Sequence, residues 1–119
     1  MKVRIIKKMV RIYVHDLDTA INYYQELTGG SVGRRFRLPQ FRLELASIDD
    51  ILLISGEEQD LAPFRQTAAT FLVDSLEEFK AFLESSGAVV LRGPAQVPTG
   101  RNMTVQHPDG TIIEYVEHV

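Results

Sequence analysis

The sequence predicts an α+β domain made of two βαβββ modules, and three observations carry that prediction. Strand, helix and three further strands occur in that order, and the same order then returns. The return has a steady spacing: Val14-x-x-Leu17 falls on Val73-x-x-Leu76 at an offset of 59, and Asp50 falls on Gly110 at an offset of 60. A length of 119 residues suits one domain whose core needs neither disulfide nor metal. Module one is placed at about residues 8–56 and module two at about 67–118.

Each element follows from local chemistry. Residues 9–14 alternate, with Met9, Arg11 and Tyr13 on one side and Val10, Ile12 and Val14 on the other, as a strand requires. Asp16 is the expected N-cap of a helix whose apolar stripe is Leu17, Ala20, Ile21, Tyr24 and Leu27, and Gly29-Gly30 ends it. Strands are expected near Val32–Arg37, Phe41–Ala46 and Ile51–Ser55, with turns at Pro39 and Asp49-Asp50. A polar linker spans about residues 56–66. A strand over Ala68–Val73 then leads to a helix capped by Ser75 with Glu78 three residues on, carrying Leu76, Phe79, Phe82 and Leu83. Strands follow at Ala88–Leu91, Met103–Gln106 and Thr111–Glu117, with a loop over Gly93–Arg101 and a turn at His107-Pro108-Asp109-Gly110. Val10, Ile12, Val14, Phe71, Val73, Ile113 and Tyr115 are expected beneath the two helices.

Composition narrows the function classes. The chain has no cysteine, so thiolate nucleophiles, cysteine-held zinc and iron–sulfur sites are excluded. Its longest aliphatic run, Ile51–Ile54, is far short of the roughly twenty residues of a membrane-spanning helix. The basic N-terminal stretch has no apolar run or small-residue cleavage site behind it, so a cytoplasmic protein is expected, with no membrane partner. A net charge of −3 argues against nucleic acid as a partner. Residues 1–42 hold nine Lys/Arg against three carboxylates, leaving four against thirteen in residues 43–119. That asymmetry can steer an anion or simply reflect two solvated faces.

Several stretches resemble the vicinal oxygen chelate superfamily, which includes glyoxalase I, extradiol dioxygenases and bleomycin-resistance proteins. They are the run from Val10 to Tyr24 with Leu27-Thr28-Gly29, then Phe71–Leu76, then His107-Pro108-Asp109-Gly110 entering Thr111–Glu114. The resemblance covers roughly Met9 to Glu117 and implies the glyoxalase-like fold, with curled mixed sheets forming a cleft. It also implies a divalent metal held by His, Gln or Glu on the first and last strand of each module. Those positions carry Met9, Ala68, Glu114 and either Leu53 or Ile54, so three of four offer no suitable ligand. No metal and no cofactor is therefore expected.

Other chemistry is equally sparse. His15, His107 and His118 lack metal-site spacing and are expected as turn, exposed or tail residues. No nucleophile elbow or phosphate loop is present. Glu114 can act as a metal-free base or pair with Arg11, which shares its cleft-facing parity and keeps it ionised. Arg34, Arg35, Arg37 and Arg42 can hold an anion or blunt an exposed sheet edge. Tyr23 and Tyr24 are expected in the core or an interface. Strand parity lines the cleft with Met9, Arg11, Tyr13, Leu52, Ile54, Ala68, Thr70, Leu72, Ile112 and Glu114, a mostly apolar set.

The expected function is that of a metal-free binding protein, sequestering or sensing a small organic ligand. The family's pairing of modules across chains implies a homodimer with an isologous interface. The rivals are a lyase, isomerase or dioxygenase with an atypical site, and an interaction module whose cleft is filled by its own side chains.

Overall fold

Alternating apolar residues near the start of the chain form a first strand longer than its pattern announces. In the computed structural model, which describes residues 3–118, β1 runs over Ile5–Val14. Helix α1 follows at Leu17–Thr28, then β2 (Val32–Leu38), β3 (Leu43–Ile48) and β4 (Ile51–Ser55). The second βαβββ set is β5 (Thr67–Val73), α3 (Leu76–Ser85), β6 (Val89–Val97), β7 (Gly100–Gln106) and β8 (Ile112–His118). Between the sets lies a short helix α2 (Glu58–Leu61), continued by a 3₁₀ turn at Ala62–Phe64.

The chain divides into two compact units. One is Val10–Gln66; the other joins the described residues up to Met9 with those from Thr67 onward, so β1 is shared between them. In the first unit the strand order is β2-β3-β4-β1, with β1 and β4 parallel and the rest antiparallel. In the second, β5 lies beside the first half of β1, and the order continues β8-β7-β6, with β5 and β8 parallel.

The caps act as expected. Asp16 accepts from the Thr19 amide at 3.1 Å, and Gly29 closes α1 with φ at 75°. Ser75 accepts from the Glu78 amide at 3.3 Å. Each such cap contributes about 1 kcal/mol. Helix α1 packs its Leu17, Ala20 and Ile21 on Ala46, Ile48 and Leu53, with Ile12, Val14 and Tyr24 at the edge. Helix α3 buries Leu76, Phe79 and Leu83 among Val73, Met103, Val105, Ile113 and Tyr115. Both stripes are narrower than their spacing suggests, since Leu27 and Phe82 are exposed. Tyr23 is exposed as well, while Tyr24 joins the core edge.

Three expectations need correction. Val10 is 58% exposed rather than covered, because α1 lies over β3 and β4. Phe41 belongs to a 3₁₀ turn at Pro39–Phe41, so β3 starts at Leu43. The stretch from Gly93 to Arg101 is no loop: β6 continues to Val97 and pairs with β7 in one long hairpin turning at Pro98-Thr99. The hairpin absorbs Pro94 because β6 is an edge strand with register shifts between Val90 and Ala95, where a missing N–H leaves no ladder partner unpaired.

Candidate functional site

The β5–β8–β7 ladder builds a small polar cluster. Register places Thr70 beside Glu114 and Glu114 beside Thr104, with Asn102 beside Val116 one step along. Phe71, Ile113, Tyr115, Met103 and Val105 turn toward α3, so alternation puts Thr70, Glu114, Leu72, Ile112 and Asn102 on the opposite face. There Glu114 Oε1 accepts from the Thr70 hydroxyl at 2.9 Å, and Oε2 accepts from Asn102 Nδ2 at 2.7 Å. Thr70 and Asn102 are buried and Glu114 is half-buried.

This arrangement has a cost. A carboxylate offers no donor, so the Asn102 amide must turn its NH₂ toward Glu114. Its Oδ1 is thereby left buried without a hydrogen-bond partner among the described residues. An orphaned buried acceptor costs about 1–3 kcal/mol, comparable to the gain from a hydrogen bond to a charged group. Packing alone would be served as well by apolar residues.

Sequence parity needs one adjustment here. β5 carries a register shift: Thr67 lies beside Ile112 and Ala69 beside Ile113, so Ala68 is the extra, exposed residue of a bulge. Register therefore brings Thr67, which is buried, onto the Glu114 face.

The other unit arranges its polar groups differently. Arg11 lies beside Leu52 and Tyr13 beside Ile54 in the parallel β1–β4 pair. Arg11 Nη1 donates to the Tyr13 hydroxyl at 3.0 Å, and that hydroxyl donates to the Phe64 carbonyl. Arg65 lies over the Tyr13 ring at 5.4 Å, and Phe64 meets Phe41 edge-on at 5.3 Å. Glu58 accepts from Arg65 at 2.8 and 2.7 Å and contacts His15 at 3.2 Å. Arg65 first, then His15, holds the Glu58 carboxyl down at about 2. The expected polar linker is thus a fastened strap, anchored by Leu61, which is fully buried. Leu52 and Ile54 are buried too, and Met9, Leu72 and Ile112 are half-buried.

The remaining histidine expectation changes in detail. His107 Nε2 meets the Tyr115 hydroxyl at 2.7 Å, and the Tyr115 ring packs against Phe71 and Phe79. Burial pushes the Tyr115 hydroxyl up to about 12.

Two half-sheets of this topology, each backed by one long helix and one of them bearing Glu114 on its last strand, define a class. The family model of the Glyoxalase/Bleomycin resistance protein/Dioxygenase superfamily matches residues 6–115, and the chain belongs to that superfamily. Its fold is accordingly the α+β, glyoxalase-like fold of vicinal oxygen chelate proteins. Among solved structures it is similar to an uncharacterized protein from Methanosarcina mazei, with 57% identity and a TM-score of 0.93 over 98% of this chain and 94% of that one. It is also similar to methylmalonyl-CoA epimerase from Mycobacterium tuberculosis, at 20% identity and TM-score 0.74, covering 97% and 89%. A hypothetical protein from Bacillus halodurans C-125 matches at 18% identity and TM-score 0.77, covering 100% and 96%. The last two likenesses concern the fold. No curated protein matches the chain.

The residues at the family's ligand positions do not fit a divalent cation. Ala68 has no lone pair, and Leu53 and Ile54 are buried aliphatics. Both Glu114 oxygens already accept hydrogen bonds. Among the described residues no three of His, Cys, Asp and Glu converge to hold a metal.

Proposed function

We propose that this chain is a metal-free binding protein that sequesters or senses a small organic ligand at the Glu114 face. The observation that carries the reading is the Glu114 carboxylate, held by Thr70 and Asn102 amid Leu72, Ile112 and Val116. A small polar cluster beside apolar Leu72, Ile112 and Val116 fixes the orientation of a mostly apolar ligand. The buried Asn102 Oδ1 supports it, because an unsatisfied acceptor is tolerated where the arrangement serves a purpose other than stability. Leu72 and Ile112, half-buried on the same face, complete the proposed ligand surface, and two chains pair as a homodimer in the cytoplasm.

An isomerase reading, suggested by the likeness to methylmalonyl-CoA epimerase, meets the same unsuited positions at Met9, Ala68 and Leu53 or Ile54. The interaction-module reading draws on Leu52 and Ile54, whose burial leaves a ligand little of their surface.

Native mass spectrometry of protein purified from its source tests the proposal in one measurement. A retained organic molecule without metal is the expected result. Zn²⁺, Ni²⁺, Mn²⁺ or Fe²⁺ should leave the melting temperature unchanged, since only a ligand that binds the native state stabilises it. Saturable stabilisation by one of these ions, lost in Glu114→Ala, would overturn the proposal.

A further inference from the structure

The arginines between residues 34 and 42 meet different fates. Arg35 is consumed by Asp18 at 2.8 Å and Glu44 at 3.0 Å. Arg34 is exposed on edge strand β2. Arg37 reaches Glu44 only at 3.8 Å and is 78% exposed, and Arg42 makes no ion pair among the described residues. Arg37 and Arg42 line a cavity of about 630 Å³ contained within the Val10–Gln66 unit.

The same cavity is lined by Glu57 and Asp60, neither of which makes an ion pair among the described residues. The other charged groups at and beside it are matched: Glu58 with Arg65 and with His15, which also lines the cavity, and Arg35 with Asp18 and with Glu44, a lining residue as well. The backbone around the cavity is also specialised. Arg42 has φ 57° and ψ 38°, a left-handed conformation that costs a non-glycine residue about 1–2 kcal/mol. Gly56 permits a close approach, for a Cβ there would stand 2.9 Å from Leu43 Cδ2 and 3.2 Å from the Arg42 carbonyl.

From this we infer a second ligand site, distinct from the Glu114 face, for a small dipolar molecule carrying both an anionic and an ammonium group, as amino acids do. The volume lies within the range of small-molecule pockets, about 300–1,000 Å³. An anion alone would meet Glu44, Glu57 and Asp60; a cation alone would meet Arg37 and Arg42. Only a molecule bearing both signs satisfies both sets. Because the site is open to solvent, salt screens the attraction and affinity falls as ionic strength rises.

The test is a titration of the full chain with ε-aminocaproate, followed by nitrogen–proton correlation NMR. Saturable shifts are expected at the amides of residues 42–44 and 55–60, with those of Thr70, Asn102 and Glu114 unmoved. Caproate and hexylamine, with one charge each, should bind about ten-fold more weakly. Arg42→Met and Asp60→Asn should each weaken binding about five-fold or more, the loss of one charged contact, while Arg34→Met leaves it unchanged. Caproate binding as tightly as ε-aminocaproate, insensitivity to Arg42→Met, or no saturable shift would each overturn the inference. Those outcomes leave the Glu114 proposal intact, and metal stabilisation lost in Glu114→Ala would leave this one intact.

Discussion

Replacing Asn102 by Asp would place a second carboxylate 2.7 Å from Glu114 Oε2 with almost no change of shape. Two ionised carboxylates at that distance repel by about 6 kcal/mol at an effective dielectric of about 20. Keeping one proton on the pair instead costs about 1.4 kcal/mol for each pH unit above the ordinary carboxylate pKa of about 4, or about 4 kcal/mol at pH 7. Protonation is the smaller cost, so the pair holds one proton and Asn102→Asp destabilises the fold by about 3–4 kcal/mol at neutral pH. The sign with pH follows from linkage. Raised carboxyl protonation in the folded state means the penalty is full above the folded value and vanishes as pH falls toward the unfolded one near 4. Urea unfolding of both proteins at neutral pH and near pH 4.5 reads this directly. A penalty that stays below about 1 kcal/mol, within the scatter of ordinary point mutations, or that does not shrink on acidification, would show that residue 102 does not face the carboxylate.

Four further outcomes are expected. Leu61→Ala should cost about 2–5 kcal/mol in urea unfolding, because a fully buried leucine leaves a cavity even when its helix has one turn. Glu58 contributes stability above its unfolded value of 4.5 that is lost as pH falls toward about 2, so Glu58→Gln should flatten the acid limb of the stability curve there. Tyr115 should titrate near 12 in ultraviolet difference spectra, and Tyr115→Phe should remove that step. Sedimentation equilibrium should return twice the 13.4 kDa chain mass at micromolar concentration, as the proposed dimer requires.

What the sequence by itself determined are the features encoded by nearest neighbours along the chain. The two βαβββ sets, the Asp16 and Ser75 caps and the Gly29 stop are legible because each depends on residues within one turn or one strand. That Thr70 and Glu114 share a face was legible as well, since alternation needs only the face of each strand, whereas their adjacency came from the β5–β8 register. The tertiary structure decided whatever depends on register or on a partner far along the chain. Asn102 joined Glu114 only because β7 extends back to Gly100, a stretch whose prolines and glycines read as a loop until an edge position accommodates them. The bulge at Ala68 moved Thr67 onto the site face, and no local pattern announces where an extra residue is inserted. The strap was hidden for a similar reason. Most of its residues are polar and its helix is one turn long, so little local stabilises it; it holds its shape because Leu61 is buried and because Tyr13 and His15, more than forty residues earlier, supply partners for Phe64 and Glu58.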